Sequence, residues 1–284
     1  PGNENQTPAE VYREDLEGEW AVRAVPNKFA PVDSTLSPTR TGVESFIKAD
    51  GYGIAEVVIE TPTHNDTIAT MAQPDVERIV RAYYDRYAAL ISEKHINFVT
   101  LFRNYGARAG TSLVHPHSQI IATPIIPPHV RNPFREVMHY FDTYGRCVYC
   151  DIIEKETADG KRIVLESDNF VVLCPFASRT PYEIRIFPKD HKAGFSGVSN
   201  REMIDLADVL RRTLRKVYIG LNDPDFNYII RSAPYGDEDA RYLHWYIVII
   251  PRLSEMGGFE ISSGIYVNTT YPEDCAAFLR EVSD

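Results

Sequence analysis

The chain has 284 residues, 44% hydrophobic and 25% charged, which is typical of a soluble globular protein long enough to bury a sizeable core. Its formal net charge of −10 and its pI near 5.3 argue against a broad basic surface for nucleic acid, although a local pocket can still bind a small anion. No stretch approaches the roughly 20 apolar residues of a membrane span, and the polar beginning lacks a signal-peptide pattern, so we expect a cytoplasmic protein without a membrane partner.

Short strands and one long helix are predicted for the first part of the chain. Alternating apolar residues bounded by turn residues predict strands at residues 19–25, 42–48, 53–60 and 96–102. A helix is predicted at residues 74–92, where a proline occupies a favoured first position. Its apolar side chains recur every three to four residues, so one stripe of this helix is expected to pack into the core.

Two histidines stand out in the run that follows, residues 104–119, which reads NYGARAGTSLVHPHSQ. Side chains alternate along a strand, so a strand through this run would place His115 and His117 on one face, with a proline between them. Imidazole can coordinate a metal or attack an electrophile such as phosphorus. The alternative is that His-x-His is an ordinary strand segment beside a flexible loop.

The residues around the two histidines favour a phosphate site. The glycines, Thr111 and Ser112 before the histidines supply backbone N–H groups and hydroxyls, and Gln119 after them supplies an amide. These groups hold phosphate oxygens in many proteins. The run therefore indicates a phosphate site that contains a nucleophile.

The second part of the chain repeats the histidine spacing of the first. His64 lies 51 residues before His115, and His191 lies 53 residues before His244. Between the members of each pair lie one amphipathic helix and one apolar strand, and a Ser-x-x-Glu capping signature opens the second helix. This repetition predicts two copies of one α+β unit. The predicted units are residues 1–145 and residues 146–284.

A helix predicted at residues 133–144 is followed by two cysteines separated by two residues, a spacing better suited to a metal than to a disulfide framework. With the two histidines of the second repeat they form a Cys₂His₂ set, which suits structural zinc because tetrahedral coordination leaves no position open for water. The alternative is a pair of buried thiols beside core histidines. The proposed ligands are Cys147, Cys150, His191 and His244.

The run at residues 104–119, together with this cysteine and histidine spacing, resembles the galactose-1-phosphate uridylyltransferase family of the histidine-triad superfamily. The resemblance covers nearly the whole chain. It implies an α+β fold of two tandem histidine-triad-like halves, with helices packed on antiparallel sheets. It also implies that His117 forms a covalent nucleotidyl-histidine and that His115 and His64 are zinc ligands. Tyr246 replaces the nucleophile in the second repeat, so only the first half is expected to perform histidine chemistry.

The resemblance also assigns residues to the substrate. Gln119 and Ser112, with Thr111, are expected to stabilise charge on the phosphate during transfer. A turn similar to the family's nucleotide-contacting turn and a segment similar to its closing, sugar-binding segment contribute further contacts. The predicted substrate-binding residues are Asn27, Asn104, Gly110, Thr111 and Glu260, the last binding hexose hydroxyls.

Two features depart from the family pattern. Many members have a zinc-binding Cys-x-x-Cys pair directly before the segment that resembles residues 1–8, and this pair is missing here. Either half of the first metal site has been lost, or the pair lies upstream of residue 1. A lysine and a glutamine that enterobacterial-type members place near Glu260 have no clear match, which leaves the sugar acceptor open.

The resemblance implies a uridylyltransferase that exchanges UDP-glucose and galactose 1-phosphate with ping-pong kinetics through uridylyl-His117, with structural zinc. A homodimer is expected, because members are commonly dimers. The alternative is a nucleotide-sugar or dinucleotide phosphorylase, similar to ADP-glucose phosphorylase, with phosphate as acceptor; a hydrolase is a third form. A zinc-stabilised binding protein without activity is a hypothesis of another class, against which the intact run 104–119 argues. The preference between uracil and adenine is open.

Overall fold

A computed structural model describes residues 6–283, apart from the side chain of Val43, and shows a mixed α+β fold. Its strands are β1 (Tyr12–Leu16), β2 (Glu19–Pro26), β3 (Arg40–Val43), β4 (Phe46–Ala49), β5 (Ile54–Ile59), β6 (Phe98–Tyr105), β7 (His117–Thr123), β8 (Ile163–Glu166), β9 (Phe170–Leu173), β10 (Ile184–Pro188), β11 (Phe226–Arg231) and β12 (Tyr246–Pro251). Its α-helices are α1 (Gln73–Ile91), α2 (Pro128–Tyr144), α3 (Val148–Asp159), α4 (Asn200–Gly220), α5 (Gly258–Ser263) and α6 (Pro272–Glu281).

One large antiparallel sheet organises these elements. Its ten strands lie in the order β1-β2-β5-β7-β6-β11-β12-β10-β9-β8, and β3 and β4 form a separate hairpin. Five strands precede α2 in the chain and five follow it, and the two sets meet at the β6–β11 pair. The predicted α+β class with antiparallel strands is confirmed, with the strands of both predicted units joined in a continuous sheet. The boundary at residues 145 and 146 stays a prediction.

The main core lies between one face of this sheet and helices α1 and α4, which pack side by side. The predicted apolar stripe of α1 is buried there, beginning with Val76 and Ile79. Trp245 is fully buried and meets the rings of Phe170 and Phe195 edge-on, with centroid distances of 5.9 and 5.2 Å. Each large apolar side chain buried in this way contributes about 1.5–3 kcal/mol, so the two helices hold one face of the sheet firmly.

The opposite face of the sheet is covered less completely. A small apolar cluster joins Ile153 of α3 to Val171, Leu173 and Phe187 of β9 and β10. Over β6 and β7 the alternating side chains on this face are partly exposed. The run at residues 104–119 therefore lies at the open face of a sheet whose other face is a packed core. None of the helices within residues 6–283 combines the length and apolar character needed to cross a bilayer.

Two predicted elements differ from those observed. The single strand expected at residues 42–48 is a hairpin, because the backbone turns at residues 44–45, where Glu44 has a φ of 53°, and β4 returns along β3. The helix expected at residues 133–144 begins at Pro128 and includes Pro133. Pro133 is in the second turn, early in the helix, and such a proline does not mark the helix start that the sequence suggested.

The start of α4 is tied to the metal-ligand segment before it. Ser199 Oγ accepts a hydrogen bond from the N–H of Glu202, and the Glu202 carboxylate accepts one from the N–H of Ser199 at 2.7 Å. Lys192, which directly follows His191, donates from Nζ to the same carboxylate at 2.6 Å. Burial alone would raise the pKa of Glu202, but the hydrogen bonds from Lys192 and Ser199 outweigh it and lower the pKa.

The Glu202→Gln variant is expected to lose about 1–3 kcal/mol of the free energy of unfolding near pH 7, because bonds to an ionised group are lost. The folded-state pKa is lowered, so this stability is present above the unfolded-state pKa and disappears as the pH falls through the lower folded-state value. Urea denaturation should therefore show the gap between variant and wild type closing below about pH 4.5. Glu136→Gln, at an exposed position of α2, is the matched control. A gap of the same size at every pH would contradict this account.

Candidate active site

The loop between β6 and β7 is shaped by two glycines and anchored from the second half of the chain. Gly106 has a φ of 84°, and a Cβ there would lie 1.9 Å from Asp225 Oδ1. The other oxygen of that carboxylate accepts a hydrogen bond from the N–H of Arg108. Gly110 ends a 3₁₀ turn at Ala107–Ala109 with a φ of 86°. Only glycine adopts these conformations at no steric cost, so both positions fix the course of the loop.

His117 begins β7 and is oriented by the main chain. Its Nδ1 lies 2.8 Å from the carbonyl oxygen of His115. A carbonyl oxygen can only accept, so Nδ1 carries the proton and Nε2 keeps its lone pair. Within residues 6–283, Nε2 has no hydrogen-bond partner, and the side chain is only 7% exposed. A neutral imidazole with a free Nε2 is the form that a nucleophile requires.

His115 lies outside the strand on which the sequence placed it. β7 begins at His117, and His115 precedes it in a bend. The reason is that Pro116 cannot donate to a ladder, while its carbonyl oxygen accepts from the N–H of Glu60 at 3.1 Å and closes the end of the β5–β7 pairing. The prediction that strand alternation places both histidines on one face was therefore wrong. His115 is instead fixed by its Nε2, which donates to the carbonyl of Thr61 at 2.7 Å.

Strand register gathers three predicted site residues on the open face of the sheet. Gln119 pairs with Phe102 across β7 and β6, and side chains two positions along a strand point to the same face. His117 and Asn104, at the loop ends of these neighbouring strands, therefore share that face. Asn104 also pairs with Asn227 of β11. The predicted nucleophile, the predicted amide beside it and the predicted phosphate contact thus share one surface.

Beneath His117, on the helix side of the sheet, lies a buried polar network. Glu60 forms an ion pair with Arg103, and its Oε1 accepts from Ser118 Oγ at 2.6 Å and from the Tyr83 hydroxyl at 2.7 Å. The hydroxyl of Tyr228 lies 2.5 Å from that of Tyr83. All five side chains are at most 2% exposed. Burial and the nearby carboxylate raise the pKa of Tyr83, so this phenol stays a donor.

The four predicted zinc ligands of the second half are brought together. Their donor atoms all lie within 4.8 Å of one another, and Cys150 Sγ is 3.4 Å from His191 Nδ1 and 3.6 Å from His244 Nδ1. His244 Nε2 donates to the carbonyl of Pro188 at 3.0 Å, which leaves Nδ1 free to bind a metal. A hydrogen bond from Cys150 lowers the pKa of Cys147 to about 4, and the same contact raises the pKa of Cys150. The donor set fits one tetrahedral metal ion.

His64 and His115 form the corresponding pair in the first half. Their Nδ1 atoms are 3.2 Å apart, and burial lowers the pKa of His115, which favours the neutral, metal-binding form. The bond from His115 Nε2 to the Thr61 carbonyl has the same form as the bond from His244 to Pro188. Within residues 6–283, these two imidazoles are not part of a group of three or more metal-binding side chains.

Three other predicted substrate-contacting residues lie in the β6–β7 loop and in the turn after β2. Ser112 is exposed at the mouth of the loop. Both donors of Thr111 are used within the loop: its hydroxyl donates to the Leu113 carbonyl at 2.9 Å and its N–H to the Gly106 carbonyl at 3.3 Å. Asn27 lies in its turn and accepts from the N–H of Phe29 at 3.0 Å. Substrate contacts by these residues stay predictions.

The structure places Glu260 in the wall of a cavity. It belongs to α5 and lines a cavity of about 760 Å³ over the open face of β10–β12. Arginines and aromatic side chains contribute to its wall, and His117 does not. Arg185, which is paired with Glu183, and Arg231 are among the arginines. The predicted nucleophile is therefore not among the residues that line the cavity of the predicted hexose ligand.

Comparisons with known proteins bear directly on this arrangement. Family models described as galactose-1-phosphate uridyl transferase, N-terminal domain and C-terminal domain, match residues 21–127 and 133–264. The chain belongs to the galactose-1-phosphate uridylyltransferase family. The resemblance inferred from residues 104–119 is thereby confirmed.

Relatives with different names are similar to this family member. An ADP-glucose phosphorylase of Arabidopsis thaliana is 35% identical over 99% of this chain and 80% of that protein. A galactose-1-phosphate uridylyltransferase of Thermotoga maritima is 31% identical over 83% of this chain and 76% of its own length. The crystal structure of an ADP-glucose phosphorylase from Arabidopsis thaliana with bound ADP-glucose superposes with a TM-score of 0.88 and 34% identity, covering 99% of this chain and 89% of that one.

Sequence reasoning missed the residues that hold the site from behind and from the second half. Glu60 was predicted only as the last residue of a strand. The carboxylate that follows an apolar run was the one feature that could have marked it. Arg103 lies inside an apolar strand, which is itself unusual for a charged residue. Asp225 and Asn227 are more than a hundred residues from the loop that they contact, and Arg252 acts on it only through Asn227; nothing local in the sequence marks them.

Glu60→Gln is expected to cost about 3–5 kcal/mol of the free energy of unfolding, because it leaves the buried Arg103 charge without a counter-ion. Tyr83→Phe removes one hydroxyl and should cost about 1–2 kcal/mol. Both values are to be measured by urea denaturation at neutral pH. The dependence of the free energy of unfolding on urea concentration should match that of wild type. The double variant Glu60→Met with Arg103→Met removes both charges and should recover much of the Glu60→Gln loss. Wild-type stability of Glu60→Gln would contradict a structural ion pair.

Proposed function

We propose that this family member is a nucleotidyltransferase that takes a nucleotide sugar as donor and forms a covalent nucleotidyl intermediate on His117. The observation that carries the proposal is the bond from His117 Nδ1 to the His115 carbonyl, which leaves Nε2 unprotonated and directed away from its support. The likeness to an ADP-glucose phosphorylase and to a galactose-1-phosphate uridylyltransferase supports the same donor class.

The first half reaction forms one bond and breaks one. Nε2 of His117 attacks the α-phosphorus in line, a phosphorus–nitrogen bond forms, and the bond from that phosphorus to the bridging oxygen breaks. The sugar 1-phosphate leaves with the electron pair and needs no general acid, since it is a stable anion. The imidazole gains positive charge, which the Nδ1–H···O=C bond stabilises. In this proposal, the side-chain N–H groups of Asn104 and Gln119 stabilise charge on the phosphate oxygens.

The second half reaction returns His117 to its free form, and its acceptor defines the activity. The first candidate is UDP-glucose with galactose 1-phosphate as acceptor, supported by the family models that match both parts of the chain. The second candidate is ADP-glucose with inorganic phosphate as acceptor, supported by 35% identity to an ADP-glucose phosphorylase along 99% of the chain. In both, an oxygen of the acceptor attacks the same phosphorus and the phosphorus–nitrogen bond breaks.

Intact-protein mass spectrometry after incubation with UDP-glucose or ADP-glucose tests the common intermediate. The expected result is a mass gain equal to one UMP or one AMP per chain, which also identifies the base. His117→Ala should abolish the gain and lower turnover at least a thousandfold or so. His139→Ala, an exposed histidine of α2, is the matched control and should leave both unchanged. Folded, metal-loaded protein that gains no mass with either donor would contradict the proposal.

Adding acceptors to the isolated adduct distinguishes the two candidates. Galactose 1-phosphate should remove UMP as UDP-galactose if the chain is a uridylyltransferase. Inorganic phosphate should remove AMP as ADP if it is a phosphorylase. Release of free nucleoside monophosphate at the rate seen without either acceptor would indicate a hydrolase instead.

Zinc is the metal that we propose for the Cys₂His₂ cluster, because two thiolates and two imidazoles form a closed tetrahedral set. When bound, zinc would hold α3, the segment after β10 and the segment before β12 together, with no position left for chemistry. We also propose that His64 and His115 contribute two ligands to a second site, and that this site orients the segment leading to His117.

Elemental analysis of purified protein should find bound zinc that is lost in Cys150→Ser, with a fall in melting temperature. Zinc must displace the proton held between Cys147 and Cys150, so the measured affinity should rise with pH. Cys275→Ser, a cysteine outside the cluster, is the control and should keep the wild-type zinc content. Equal zinc content in both variants would contradict the assignment.

Glu260 remains our proposal for the hexose ligand. The cavity that Glu260 lines does not include His117, and we propose a homodimer in which the second copy supplies the sugar-binding segment. The apolar residues around α5 that are exposed in one chain fit this role. They include Phe259, Ile261, Ile265 and Val267.

A further inference from the structure

Three residues form a hydrogen-bond chain from the second half of the molecule to the open face beside His117. Arg252 Nε donates to Asn227 Oδ1. Asn227 Nδ2 donates to Asn104 Oδ1 at 2.7 Å and to the Ala109 carbonyl at 2.9 Å. Asn227 is only 5% exposed, so water competes little for these bonds.

Each bond in this chain has a fixed direction. An arginine N–H can only donate, so the Asn227 atom facing Arg252 must be the amide oxygen. A backbone carbonyl can only accept, so the Asn227 atom facing Ala109 must be the amide nitrogen. Two independent neighbours therefore require the same orientation of Asn227. Its nitrogen then meets Asn104, whose facing atom must be an oxygen.

The remaining atom of the Asn104 amide is thereby determined. Its Nδ2 points away from Asn227, and among residues 6–283 it has no hydrogen-bond partner. Strand alternation places Asn104 and His117 on the same face of the sheet, at the loop ends of the neighbouring strands β6 and β7. An amide nitrogen with two free N–H bonds is a donor, whereas the flipped amide would present an oxygen to the phosphate and repel it.

We infer that Asn227 and Arg252 are positioning residues that hold the Asn104 amide with its nitrogen toward the phosphate of the substrate. This inference rests on the proposed function for the identity of the ligand. The second half of the chain, which lacks a nucleophile, thus determines whether the first half presents a donor or an acceptor beside His117. The Asn227 amide also donates to the Ala109 carbonyl, so the hydrogen-bond chain from Arg252 to Asn104 is connected to the 3₁₀ turn of the loop.

Asn227→Asp tests this hydrogen-bond chain with an almost isosteric change. The carboxylate still accepts from Arg252 but cannot donate, so Asn104 turns its nitrogen inward and offers its oxygen to the phosphate. The rate of adduct formation should fall about 100-fold, as expected for loss of one preorganised donor. Arg252→Met removes the group that orients Asn227 and should cost about tenfold. Asn222→Asp, the same change at an exposed position of the second half, is the matched control and should have no effect.

A double-mutant cycle separates positioning from a merely structural role. If Asn227 acts through Asn104, Asn227→Asp should have no further effect in an Asn104→Ala background, and the double variant should be about 100-fold slow rather than about 10,000-fold. An equal cost in both backgrounds would overturn the inference, because the contact with Ala109 alone would then explain it. Circular dichroism confirms that each variant is folded.

Calorimetric titration with UMP and with AMP provides a second readout of the same cycle that does not depend on turnover. Affinity should fall about tenfold in each single variant and no further in the double variant. If wild type binds a nucleotide and shows this cycle but forms no adduct, the proposed function fails and the inference stands. If an adduct forms but the cycle is additive, the inference fails alone. Wild type that binds neither nucleotide and forms no adduct would overturn both.

Discussion

The buried ion pair between Glu60 and Arg103 is the interaction on which the active-site geometry depends. Two charges in a nonpolar core are costly unless each is fully partnered, and the partners of this ion pair come from three different elements. Ser118 of β7, Tyr83 of α1 and Tyr228 of β11 satisfy the carboxylate directly or through one hydroxyl. Any shift of these elements would leave a buried charge without a partner. The network therefore fixes β7 from below at the residue next to the proposed nucleophile.

The two parts of the chain use the same backbone device for different purposes. In each part, a histidine just before a strand donates its Nε2 proton to a backbone carbonyl: His115 to Thr61, and His244 to Pro188. Each carbonyl lies three residues before a second histidine, and the bond turns the Nδ1 atom of the first histidine toward the second. In the second part, Cys147, which directly precedes α3, and Cys150 within α3 complete a metal-binding set. In the first part, His117 lies two residues after His115, at the start of β7. The same arrangement thus leads to a complete metal-binding set in one part and to the proposed nucleophile in the other.

Local pattern explains which features the sequence could predict. The stripe of α1, the capping box of α4 and the Cys₂His₂ set follow from spacing and residue chemistry, and the structure contains all three. The placement of His115 was wrong because the run His-Pro-His was treated as strand throughout, although a proline closes the ladder there. Asn227 and Glu60 were missed because their role lies in contacts between distant segments. A single sequence carries no periodicity for such contacts, whereas the strand register that creates them is a property of the whole sheet.

Tyr246 shows why one copy of the unit is enough for the chemistry. It occupies the first position of β12, as His117 does in β7, yet its ring lies against Phe187 and Tyr149 and under the guanidinium of Arg185. A phenol packed in this way offers no neutral nitrogen lone pair comparable to that of imidazole. Its aromatic face instead stabilises a cationic wall of the large cavity. The second part of the chain also holds the loop of the first part, directly through Asp225 and Asn227 and indirectly through Arg252, so it shapes the surface around the proposed nucleophile.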